Sequence, residues 1–413
     1  MKNLVVLGAG TAGTMIVNRL RPRLAADEWR IVVVEPRTTH HYQPGYLFVP
    51  FGTYAPEDIV RPTTPLLADG VEVIEAEVES VDTDAATVAL VDGSTVAYDQ
   101  LVIATGTSPR RDETPGLDSD EYGVTIHDFY TLEGATALAG VLSDWPGGRL
   151  VVHISEMPIK CPVAPLEFSF LADSFFTERG IRDQVEITYV TPLDAAFTKP
   201  VAAARLGSML EERSIALEPD FMVMEIDPER RMLVSYDERE IPYDLLVTVP
   251  VNMGADFVER SGLGDELNHV IVDKGTMLAE GLDNVFAVGD ASNLPTSKAG
   301  SVAHFAVDLF VDNFLEHIAG RPMTERFDGH ANCFVESGGG KGLLIDFNYD
   351  VEPLPGKYPL PGIGPFSLLE ETEANHWGKL MFKWTYWNVL LPGRPLPLPS
   401  AMTMAGKTLV ETP

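Results

Sequence analysis

The stretch Lys2–Leu24, KNLVVLGAGTAGTMIVNRLRPRL, decides the fold. NLVVL reads as a strand buried on both faces, and MIVNRL carries helical spacing. Between them Gly8, Gly10 and Gly13 form GxGxxG. Glycines there permit a tight turn and let the backbone approach a pyrophosphate at the helix N-terminus. A second apolar run, IVVVEP, ends in Glu35, placed to accept hydrogen bonds from a ribose hydroxyl. An ordinary glycine turn is the plain alternative; the surrounding order of strand, turn, helix, strand and acid favours a dinucleotide.

Two later stretches narrow the ligand. LVIATGTSP, with Thr105 and Gly106, and NVFAVGDAS, with Gly289 and Asp290, resemble the downstream fingerprints of flavoproteins built from two dinucleotide-binding domains. The resemblance implies FAD, with Val78 among its contacts and Asp290 on the ribityl chain. Lys298, Ala299 and Gly300 would open a helix whose positive end stabilises the reduced flavin.

The corresponding junction of the second domain is different. After the strand-like RLVVHIS comes SEMPIKCPVAP, with no glycine. Backbone amides cannot wrap a pyrophosphate there without the space glycines leave, so NAD(P)H is not the expected electron donor. Cys161 precedes an expected helix from Leu166 to Arg179 and follows Lys160, a setting that should lower a thiol pKa. A small buried cysteine is the bland reading. Cys333 is the only other cysteine, and two lone thiols, one on a motif-bearing loop, suggest a redox pair.

Composition sets the surroundings. With 61 acidic against 30 basic residues the net charge is −31, which disfavours nucleic acid. The ten lysines and the acidic surface suit a high-salt interior, where repulsion is screened. Two cysteines exclude a disulfide scaffold, and nine scattered histidines give no metal-binding spacing. Neither a signal peptide nor an apolar run near 18 residues is visible.

HHYQPGYLFVPFG, KCPVAPLEF, VGDASNLPTSKAGSVAHFAV and CFVESGGGKGLLIDF together resemble the sulfide:quinone oxidoreductases and the related flavocytochrome c sulfide dehydrogenase flavoproteins, over nearly the whole chain. The resemblance implies a Cys161–Cys333 redox pair at the flavin. Hydrosulfide would open the bridge, leave a persulfide and pass electrons through FAD to a membrane quinone. Glu167 is the candidate general base, a helix-dipole partner being the alternative. Where family members often carry a third cysteine, GVTIHDFY offers His127, so FAD is expected to be non-covalent, the alternative being attachment through His40 or His41. Phe334 matches the family's aromatic against the quinone ring; Phe366 and Tyr386 are further candidates from the same aromatic region.

The tail supports this partner. Residues 374–410 contain no Asp or Glu but hold Lys379, Lys383, Arg394 and Lys407. At helical spacing Trp377, Leu380, Met381, Trp384, Trp387 and Leu391 share one face, as in a helix lying on a membrane, although such a face can also cover a core or a dimer interface. The expected architecture is α/β, with two Rossmann-like dinucleotide-binding domains, the second degenerate, plus a C-terminal membrane-associating region. We expect a discontinuous FAD domain at 1–110 and 243–330, the degenerate domain at 111–242 and the C-terminal region at 331–413. The expected protein is peripheral to a membrane, on its cytoplasmic side, with a homo-oligomer as an option. A flavocytochrome-type sulfide dehydrogenase subunit, a type II NADH:quinone oxidoreductase and a non-catalytic flavin- or sulfur-binding protein are the competing readings.

Overall fold

A computed structural model describes residues 1–396 and 398–409. Four helices position the site: α1 (Thr11–Leu20), α2 (Ala164–Glu178), α3 (Gly300–Ile318) and α4 (Glu373–Thr385). The opening stretch forms the Lys2–Leu7 strand and α1, as its pattern predicts. That strand is the centre of a five-stranded parallel sheet, between Trp29–Val34 and Gln100–Ile103, with Val71–Ile74 and Val285–Ala287 at the edges. Leu4–Leu7 and Ile31–Val34 are almost wholly buried because both faces of a parallel sheet are covered.

A second parallel sheet runs in the order Ile126–His127, Leu245–Val249, Gly148–Ile154, Val185–Val190, Ala216–Glu218. The expected return to the first domain at residue 243 is too early. Leu245–Val249 is hydrogen-bonded inside the second sheet, so we place the return crossing where Val251–Met253 pairs antiparallel with Ser108–Arg110. His127 belongs to an edge strand of this sheet and is buried, with its Nε2 3.2 Å from the Val124 carbonyl.

The third sheet is mixed: Ala331–Gly338, Lys341–Phe347, Gly364–Leu368, Gly356–Leu360. α2 lies across its first strand. Gly338 makes that approach possible, since a Cβ there would stand 2.1 Å from Ser174 Oγ. α4 packs on the same hairpin and runs into a π-helical turn, Tyr386–Leu390. The wider turn resets the helical phase. Trp377, Met381 and Trp384 are 60, 63 and 62% exposed, whereas Trp387 and Leu391, expected on the same face, are buried. Among the described residues no helix is long and apolar enough to cross a membrane.

Candidate active site

One cavity of about 1030 Å³ joins the glycine loop, Glu35, the Thr105–Gly106 turn, Asp290 and the Cys161 loop. Its pyrophosphate end is built by close approach. Gly8 has φ +96°, and a Cβ on Gly13 would meet the Gly8 carbonyl oxygen at 2.0 Å. Glu35 is held by the Ala9 and Arg37 amides at 2.8 and 3.0 Å. Thr105 and Thr107 line the cavity with buried hydroxyls that have no protein partner. Burial raises the Asp290 carboxyl pKa, opposed by Lys298 and Lys160. Val78, Gly289 and Gly300 line the same space. Orphaned hydroxyls, a glycine cradle and the N-terminus of a 19-residue helix fit an extended dinucleotide, and FAD is the cofactor.

Two candidate contacts have other partners as well. The buried Lys298 ammonium donates to the Asp290 and Ser292 carbonyls at 3.0 and 2.9 Å, so it fixes the turn ahead of α3. Both ring nitrogens of the buried His40 are engaged: Nδ1 on the Ala9 carbonyl at 2.9 Å, Nε2 on the Tyr386 hydroxyl at 2.6 Å. His41 likewise meets Tyr46 and Thr39. Neither imidazole offers an unengaged nitrogen for a covalent flavin bond.

At the other end lies the thiol site. Cys161 adopts φ +46°, unusual for a residue with a side chain, and its amide donates to the Lys298 carbonyl at 2.6 Å. α2 begins just beyond it with Ala164 and Pro165, and its first turn carries Glu167. Glu167 is wholly buried. Its Oε1 accepts from the Glu336 amide at 2.6 Å and from Lys379 Nζ at 2.7 Å, while Oε2 has no protein partner. Lys379 also donates to the Phe334 carbonyl at 2.8 Å.

Cys161 does not show the expected lowered pKa. Burial raises Cys161 strongly; the Glu167 charge and Cys333 add to the rise, and Lys379 opposes it. Burial pushes Cys333 up to about 11, against Lys379 and Ser301, whose Oγ is 4.0 Å from its sulfur. A helix end and an adjacent lysine do not offset the loss of solvent. Both thiols are free.

Beyond the Ala331–Gly338 strand, Phe334 and Phe366 meet edge to face, centroids 5.0 Å apart, over Gly378 of α4. Tyr386 lies elsewhere. Its hydroxyl bridges His40 and Thr11, and its ring packs on Tyr42. His376 Nδ1 contacts the buried Glu336 carboxylate at 2.7 Å. Burial raises the Glu336 pKa, which His376 offsets in part.

Glu336 and His376 are absent from the sequence expectations, and Lys379 has no site role in them. Lys379 was read there only as one of the tail's basic residues. A signal existed: Asn375, Lys379, Phe382 and Tyr386 repeat at helical spacing and define the packed side of α4, and Glu336 shares the face of Phe334 two residues away.

Two parallel dinucleotide-type sheets joined by this cavity define a flavoprotein of the two-dinucleotide-binding-domain class. In agreement, residues 2–151 match the family described as pyridine nucleotide-disulphide oxidoreductase. The chain's curated relatives include sulfide:quinone oxidoreductases and, over 86% of the chain at 24% identity, the type II NADH:quinone oxidoreductase of Staphylococcus aureus. The chain is 25% identical to the mitochondrial sulfide:quinone oxidoreductase of Mus musculus, over 94% of this chain and 86% of that protein. To that of Dictyostelium discoideum it is 27% identical, over 95% and 86%. The crystal structure of the Aquifex aeolicus sulfide:quinone oxidoreductase superposes with a TM-score of 0.77 at 22% identity, covering 94% of this chain and 92% of that one.

Proposed function

We propose that this protein oxidises sulfide to sulfur or polysulfide and reduces a quinone, as a sulfide:quinone oxidoreductase. The observation that carries the reading is the strained Cys161 in the wall of the FAD cavity, where a second nucleotide loop would otherwise lie. When bound, FAD supplies a two-electron store between the two half-reactions.

In the sulfide half, Cys161 and Cys333 in their bridged form are the electrophile. Hydrosulfide attacks one sulfur, the S–S bond breaks, one cysteine keeps the persulfide and the other leaves as thiolate. The Lys379 ammonium, raised in pKa by Glu167 and Cys161, stabilises that thiolate. Glu167 fixes Lys379 and, through the orphan Oε2, can take a proton from the incoming sulfide.

In the quinone half, Phe334 and Phe366 offer an apolar edge-to-face pair for an uncharged ring. Quinone reduction consumes protons. The partly exposed His376, in contact with the buried Glu336, is a short route for them from the surface. The exposed Trp377, Met381 and Trp384, one or two helical turns apart, seat α4 on a lipid surface without crossing it.

The test is anaerobic mixing of the FAD-loaded protein with sulfide or with NADH, followed by flavin absorbance. The reading requires bleaching by sulfide alone, reoxidation by a quinone, and no bleaching by sulfide in Cys161→Ser or Cys333→Ser. Bleaching by NADH, or full activity of Cys161→Ser, overturns it.

A further inference from the structure

Cys161 is not the only reactive group on the loop that replaces a nucleotide-binding turn; Lys160 precedes it. The Lys160 backbone is pinned on both sides. Its amide donates to Asn252 Oδ1 at 3.2 Å, and it forms a β-bridge with Lys298. The side chain therefore projects into the FAD cavity, where it lines the wall together with Gln43, Asp290 and Cys161.

Among the described residues the ammonium has one hydrogen-bond partner, the neutral Gln43 Oε1 at 3.1 Å, and makes no ion pair with a carboxylate. A lysine ammonium has three donors, so two remain directed at the cavity. A half-buried cation on a cavity wall with a single neutral partner leaves donors for a ligand to complete its shell. Burial lowers its pKa to about 8, against the pull of Asp290.

We propose that Lys160 is a cofactor-contacting residue that places its positive charge against the redox-active ring of FAD and raises the cofactor's reduction potential. The inference rests on the FAD reading. Two considerations direct the charge to the ring and not to the phosphates. The pyrophosphate belongs at Gly8–Gly13 and the start of α1, where backbone amides wait for it. Consecutive Cα atoms lie about 3.8 Å apart, so the neighbour of a thiol that must reach the ring is itself at the ring. The reduced ring carries a negative charge that the oxidised ring lacks. A fixed cation at that position favours the reduced form.

The experiment is an anaerobic dye-equilibrated titration of bound FAD in the full-length protein, Lys160→Met, Lys160→Gln and Lys160→Arg, with FAD content measured for each. Both neutral variants are expected to hold FAD and to titrate at lower potential, by about 30 mV for each tenfold loss of preference for reduced over oxidised FAD. Lys160→Arg should stay near the parent. The shift should persist in a Cys161→Ser background, since the charge acts on the ring and not through the thiol. An unchanged potential at full FAD content overturns the proposal. So does loss of FAD from the neutral variants with no shift in what remains, which would make Lys160 a binding residue only. A parent protein that takes up no FAD would instead sink the cofactor reading.

Discussion

Lys379 Nζ and Glu167 Oε1 stand 2.7 Å apart, joining α4 to α2. A paired buried carboxylate left without its cation is strongly destabilising, whereas replacing both partners removes the penalty. Lys379→Met should therefore cost about 3–5 kcal/mol, and Lys379→Met combined with Glu167→Gln should cost less than Lys379→Met alone. Denaturant unfolding of Lys379→Met, Glu167→Gln and the double variant checks this. Additive losses in the double variant would show that the two residues act separately.

Acid should loosen the glycine loop through His40. Burial lowers its pKa from the usual 6.5 to about 4, against the Ala9 carbonyl bond. Between those values the unfolded chain binds a proton that the folded one refuses, so stability falls as pH drops. By pH 4 the loss attributable to His40 reaches roughly 3 kcal/mol. His153, His269 and His304 act in the same direction, so the useful measurement is a difference. Stability plotted against pH should be shallower for His40→Asn than for the parent from pH 6.5 to 4. Equal slopes would remove His40 from the account.

Gly378 keeps room for the aromatic pair. A Cβ there would fall 2.6 Å from the Phe334 ring and 2.8 Å from the Phe366 ring. Gly378→Ala should displace both rings and slow flavin reoxidation by quinone about tenfold or more, while bleaching by sulfide continues at close to the parental rate. Stopped-flow traces of the two half-reactions separate these effects. Parallel slowing of both would assign Gly378 a purely structural part.

Removing the exposed indoles should release the protein from lipid. Trp377→Ser with Trp384→Ser is expected to abolish co-sedimentation with phospholipid vesicles, leaving sulfide-dependent bleaching intact. Retained binding would direct attention to Leu360 and Ile363, the exposed apolar residues at the tip of the neighbouring hairpin.

What the sequence reveals and conceals follows from the range of each interaction. The Lys2–Leu24 unit is legible because its strand, turn and helix are specified by neighbours within a few residues. Glu167 could be nominated from its helix turn, but its partner Lys379 is 212 positions away, and nothing local marks the pair. Cys161 was misjudged electrostatically for a related reason. Lys160 and a helix end are visible in sequence, while the burial that outweighs them is a property of three packed sheets. On the tail helix, a uniform period assigned Trp387 and Leu391 to the exposed stripe, and the π-helical turn at Tyr386–Leu390 carries them to the packed side.

The Ala331–Gly338 strand has a chemical consequence of its own. Cys333 turns toward Ser301 of α3, and Phe334, one residue on, turns toward Gly378 and Phe366. Quinones are electrophiles that thiols and persulfides attack readily. On the proposed assignment, one thickness of backbone keeps that nucleophile and that electrophile from forming a dead-end adduct.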